Sequence, residues 1–200
     1  MPSKRTRIRA ITAVGAAAVV AALGTVTHNA SAAEIPAAAD SSQARAGVET
    51  IRPPAGVPDI LKPPAEENVK LLGAERVLTG TQTYTCAANG SFVGTASTPE
   101  ATLVGTFGFV HHFAGPTWQA QPPFDRSSSK VTAARVQGVD KPGTIPWLLL
   151  KVNSSEGTGP LAKTKYIQRL LTSGGAAPTT ACTAGEKVSV RYGAVYVFLG

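Results

Sequence analysis

The chain is short of reactive side chains: 200 residues carry one methionine, two cysteines and three histidines. Charged residues make up 16%, well below the roughly 25% usual for globular domains. Each scarcity removes a class of chemistry. His28, His111 and His112 are the only imidazoles, and the last two are adjacent, so in a strand they point to opposite faces and cannot converge on one metal. No Gly-x-Ser-x-Gly elbow occurs, which leaves nucleophilic catalysis without its central part. No Gly-x-Gly-x-x-Gly joins a strand to a helix, so a dinucleotide fold has no fingerprint. Between the cysteines the only acids are Glu100, Asp125, Asp140 and Glu156, each in or beside an expected turn, a poor start for the paired carboxylates of glycoside hydrolysis. The residues imply no cofactor and no metal, and they disfavour an enzyme.

What is present begins with a leader. Lys4, Arg5, Arg7 and Arg9 precede an apolar Ala/Gly-rich run to Val26, followed by Ala30-Ser31-Ala32. That order is a secretory signal peptide over residues 1–32, cleaved after Ala32, and it predicts a secreted, extracellular protein without a stable membrane anchor. Removing four of the 19 basic residues and none of the 12 acidic ones lowers the formal charge from +7 to +3. The remainder forms no basic cluster, so no nucleic-acid partner is expected. In an oxidising compartment the lone pair Cys86 and Cys182 predicts a disulfide.

Residues 33–65, rich in Ala and Pro, read as a flexible, then extended segment. Residues 66–200 read as a single β domain. Glu66 to Leu72 is the one helix expected. Val77 to Ala88, Ser91 to Val93 after the Asn89-Gly90 turn, Glu100 to Gly105, Thr106 to Phe113, Lys130 to Gln137, Trp147 to Val152 and Tyr166 to Thr172 read as strands. In the last strand Val188, Val190, Tyr192, Ala194, Tyr196 and Phe198 share a face. About seven to nine short strands with Gly/Pro turns and almost no helix predict an all-β sandwich or barrel.

Four strings then stand out in order: His112 to Trp118, Ile145 to Leu150, Tyr166 to Leu170 with Thr172 and Gly174-Gly175, and Tyr192 to Phe198. From about Gly80 to Phe198 the chain resembles a secreted bacterial and fungal family known as domain of unknown function three-four-five-five. Relatives there tend to follow Gly-Pro-Thr-Trp closely with Asp-Gly-Ser; here a longer loop intervenes and the nearest match is Asp125-Arg126-Ser127. Some relatives carry a malate dehydrogenase label, which the missing nucleotide fingerprint and the leader disfavour.

The leading expectation is non-catalytic binding of an extracellular ligand, a saccharide or cell-wall material, with the oligomeric state left open. The binding residues expected are His112, Trp118, Asp125, Gln168 and Arg169. His112 would donate a hydrogen bond at a pocket mouth, and Trp118 would offer a flat face to a sugar ring or plug the end of the fold. Gln168 and Arg169 interrupt an apolar strand and, if buried, must be paired, with Glu100 or Asp125 as the partner for Arg169. The alternatives are a small hydrolase or lyase using His112 and Asp125, and a structural exoprotein.

Overall fold

The computed structural model describes residues 54–120 and 127–200. The expected leader, most of the 33–65 segment and Asp125 lie outside the described residues. Eight antiparallel strands follow one another in chain order and close into a barrel: β1 Leu71–Thr85, β2 Ser97–Gly105, β3 Gly108–Phe113, β4 Thr117–Ala120, β5 Ser129–Val139, β6 Trp147–Gly157, β7 Tyr166–Gly174 and β8 Lys187–Leu199. The sequence left sandwich and barrel open. The pairing of β1 with β8 decides for the barrel, and closure leaves no strand edge unpaired.

Alternation sorts the side chains. From β8, Tyr192, Ala194, Tyr196 and Phe198 enter the interior with Leu103, Val110, Trp118, Val131, Leu148, Leu150 and Ile167. Between them Val195 and Val197 join a second, outer cluster with Leu149, Tyr166 and Leu170. This is why β6 and the later half of β8 are apolar on both faces. The outer cluster is covered by the described part of the N-terminal segment. Leu61, in the 3-10 turn Asp59–Leu61, is wholly buried there, and the Gln168 Nε2 donates to its carbonyl at 2.6 Å. The short pairing of Lys70 with Gly200 ties the start of the barrel to the end of the chain.

Two expected elements do not form. Glu66 to Leu72 is not a helix: a 3-10 turn spans only Ala65–Glu67 and stops at Asn68, whose left-handed backbone (φ 45°) sends the chain into β1. Ser91 to Val93 is not a strand, although Gly90 does turn with positive φ. Residues 86–96 instead bond to themselves and to the loop before β8, through Ala87 N to Ser91 O and Cys182 N to Gly90 O. The Cys86–Cys182 disulfide, 96 residues apart in sequence, holds these two loops together, with Phe92 and Tyr84 packed around it.

The up-and-down order gives the barrel two distinct ends. At one lie the β1–β2, β3–β4, β5–β6 and β7–β8 connections, and with them the disulfide. At the other lie the β2–β3 turn, the β6–β7 loop and both termini of the barrel. Among the described residues no helix is long and apolar enough to cross a membrane.

Candidate functional site

The strand order carries Tyr196 of β8 into the middle of the interior, where it is register partner to Glu75 of β1 on one side and to Arg169 of β7 on the other. An aromatic column runs through this level. His112 stacks on Trp118, its cross-strand partner, at 4.3 Å and 9°. Trp118 meets the edges of Tyr196 and Phe198 at 5.6 and 6.4 Å, and Phe198 meets Phe107 at 5.5 Å. The column links the disulfide end to the β2–β3 turn.

At the disulfide end the column stops short of filling the barrel. A cavity of about 160 Å³ is left, lined by the polar side chains of Gln82, Ser97, His112, Trp118, Arg169 and Tyr196 and, interleaved with them, by Pro99, Pro116, Leu148 and Leu150. Eight-stranded barrels have room for side chains or one small ligand, and a dry apolar cavity of about 150 Å³ accommodates benzene. The space here therefore suits a molecule of about six heavy atoms.

The polar atoms around it are incompletely used. Gln82 accepts from the Ser97 hydroxyl at 2.6 Å, but its Nε2 and the Trp118 Nε1 are buried without a hydrogen-bond partner. An unmade buried hydrogen bond costs about 1–3 kcal/mol, so two on one cavity are a notable expense in an otherwise well-satisfied fold. The Arg169 Nε donates to the Pro146 carbonyl at 3.0 Å, and among the described residues no carboxylate pairs with the guanidinium. The Tyr192 and Tyr196 hydroxyls lie 3.2 Å apart. Burial raises the pKa of both, and the Arg169 charge acts in the opposite direction.

His112 is 2% exposed, and burial pushes its pKa down to about 3, against the upward pull of its bond to the Thr117 carbonyl. The ring is neutral at ordinary pH. Its Nδ1 lies 2.9 Å from the Thr117 oxygen, which can only accept, so Nδ1 carries the proton and Nε2 is left as an acceptor. His112 is thus an acceptor toward the cavity, where a donor was expected. His111 points outward to Glu100 at 2.6 Å. That contact takes the carboxylate expected for Arg169, because Glu100 sits on the outer face of β2 while Arg169 faces inward.

The structure brings His112, Trp118 and Arg169 to one cavity and leaves Gln168 on the opposite face of β7, bonded to Leu61. Trp118 is 1% exposed, so it presents no surface face to a sugar ring; its place is in the column. Asp125 lies outside the described residues. Sequence reasoning missed Gln82 and Tyr196 as site residues, since both are ordinary members of alternating strands. The signal available was that Gln82 and Tyr84 alternate on one face of β1.

It also missed Glu75. This carboxyl is fully buried, accepts the Phe107 N–H at 2.6 Å through Oε1 and leaves Oε2 unpartnered. Burial raises its pKa to about 7. Gly105 makes room for it: a Cβ there would collide with the Ala74 carbonyl and Oε2 of Glu75.

No curated protein and no solved structure matches the chain. Residues 105–200 match the family described as a protein of unknown function, DUF3455. That span starts in the last residue of β2 and takes in β3 to β8, with His112, Trp118, Arg169 and Tyr196 inside it and Glu75 and Gln82 before it. Through these residues the chain is similar to that uncharacterised family.

Proposed function

We propose that this protein binds a compact polar small molecule in the cavity at the disulfide end of the barrel, outside the cell, and does not transform it. The observation that carries the reading is the cavity itself: a benzene-sized space onto which Gln82, Trp118, Arg169 and His112 turn polar groups that the fold leaves underused. A general acid or base works best with a pKa near the operating pH. The His112 ring, held near 3, is far from that and fits a binding role. The disulfide and the leader-like first 32 residues support an extracellular setting. A saccharide polymer would need an exposed aromatic platform, and Trp118 lies inside the barrel, so the ligand favoured is one small enough to be enclosed.

The test is native mass spectrometry of protein recovered from culture medium, followed by thermal unfolding against a panel of small metabolites. A bound adduct is expected, or a compound that raises Tm by roughly 5 °C at a hundredfold excess over its Kd. The cavity-filling variant Leu148→Phe should lose the response. A protein that carries no adduct and gains no stability from any compound would overturn the reading.

A further inference from the structure

The unused polar groups around the cavity are weighted toward donors. Arg169 brings a full positive charge, and among the described residues no acid neutralises it. Gln82 Nε2 and Trp118 Nε1 add two buried N–H groups that make no close hydrogen bond, the Gln82 amide having only the Tyr192 hydroxyl near it. Both side chains are 1% exposed, so bulk water does not serve them. The neighbours feel the charge: burial raises the Tyr84 pKa and depresses the His112 pKa, and in each case Arg169 favours the less positive form. A guanidinium beside a cluster of unused N–H donors is the arrangement that stabilises a planar oxyanion.

The apolar residues between these groups narrow the class: Pro99 is the cross-strand neighbour of Gln82, and Leu148 that of Arg169. Pro99, Pro116, Leu148 and Leu150 offer only hydrocarbon, against which a phosphate's remaining oxygens would be stripped of water without recompense. A carboxylate has a single charged edge, and the carbon behind it is apolar. Nε2 of His112 is an acceptor with no donor of its own, so it requires a hydrogen from the ligand.

We propose that the cavity is a carboxylate site: the ligand's carboxylate sits on the Arg169 guanidinium and the Gln82 and Trp118 N–H groups, and a hydroxyl or amide hydrogen of the same small molecule is accepted by His112. This deepens the small-molecule reading above and rests on it. The ligand is a short-chain acid of about six heavy atoms bearing a second polar group, with its alkyl part against Leu148 and Leu150.

The experiment uses the intact, disulfide-bonded protein labelled with nitrogen-15, whose two tryptophan indoles are assigned with Trp147→Phe. Lactate, its neutral isostere lactamide and inorganic phosphate are titrated at constant ionic strength. Lactate is expected to shift the Trp118 indole resonance downfield in a saturable way and to bind at least about tenfold more tightly than lactamide. Arg169→Gln should reduce that ratio to about one; the ratio in the unmutated protein stands without the variant if the variant fails to fold. Lactamide binding as tightly as lactate would overturn the carboxylate assignment and leave the cavity reading intact, as would tighter binding of phosphate. If none of the three moves the Trp118 resonance, the carboxylate assignment falls, and the adduct and metabolite-panel measurements above decide the cavity reading separately.

Discussion

Glu75 and Arg169 flank the same tyrosine, facing the same interior, yet the barrel treats them oppositely. Glu75 reaches toward the β2–β3 turn, takes one backbone N–H from Phe107 and leaves its other oxygen buried without a partner, with Gly105 supplying the room. Arg169 reaches toward the β5–β6 connection, opens onto a cavity and shares it with two idle donors. One end of the barrel has enclosed its polar group and closed over it; the other has left space beside its own. The difference shows that a buried charge by itself does not mark a site. Unfilled volume together with several unused polar atoms is what supports the binding proposed at the other end.

Three experiments would break or sharpen this contrast. The largest effect concerns the clip at the cavity end. Removing the Cys86–Cys182 bridge with a double alanine variant should cost about 4 to 5 kcal/mol on the chain-entropy account for so long a loop. Amide exchange should accelerate most in residues 86–96 and 175–186. Equal acceleration at Thr106 and Phe107 would show that the two ends open together and that the contrast is not one of local stability.

The next effects separate the ends by the sign of their pH dependence. His112, held near 3 in the fold against an ordinary 6.5, contributes stability that is present above pH 6.5 and lost as pH falls toward 3. His112→Asn should remove that acid-side loss, about 4 kcal/mol, from a series of urea midpoints. A variant whose acid flank parallels that of the parent would mean that the ring is already charged in the fold.

Glu75 runs the other way. Its carboxyl pKa rises from 4.5 to about 7, so its contribution is full below pH 4.5 and is lost as pH rises through 7. Glu75→Gln should flatten that alkaline-side decline, worth about 3 kcal/mol. The difference between variant and parent is the quantity to follow, because the two residues oppose each other between pH 4.5 and 6.5. An unchanged slope would place a counter-charge or water at Oε2.

Much of the fold could be read because strands announce themselves by alternation. The Val188 to Phe198 face and the doubly covered Leu148-Leu149-Leu150 run both took their expected places. The opposite facing of His111 and His112, and of Gln168 and Arg169, followed from the same period of two. The site was less legible. Trp118 was expected after a turn, either offering a face to a sugar ring or plugging the end of the fold; β4 begins at Thr117 and carries it inward. Glu75 fell in a stretch expected to join a helix to a strand, and nothing local distinguishes it from a solvated acid. Only the meeting of β1, β2 and β8 buries it.

The amino-acid sequence by itself determined the all-β class, the pairing of the two cysteines and which neighbours would part to opposite faces, because these depend on local geometry and on a count of two. The tertiary structure alone decided that the sheet closes, that Gln82, Trp118 and Arg169 converge from three strands far apart in the chain, and that space is left between them. Closure and unfilled volume depend on strand tilt, on register shifts and on how side chains from eight strands share one interior, none of which is encoded in any short stretch of residues.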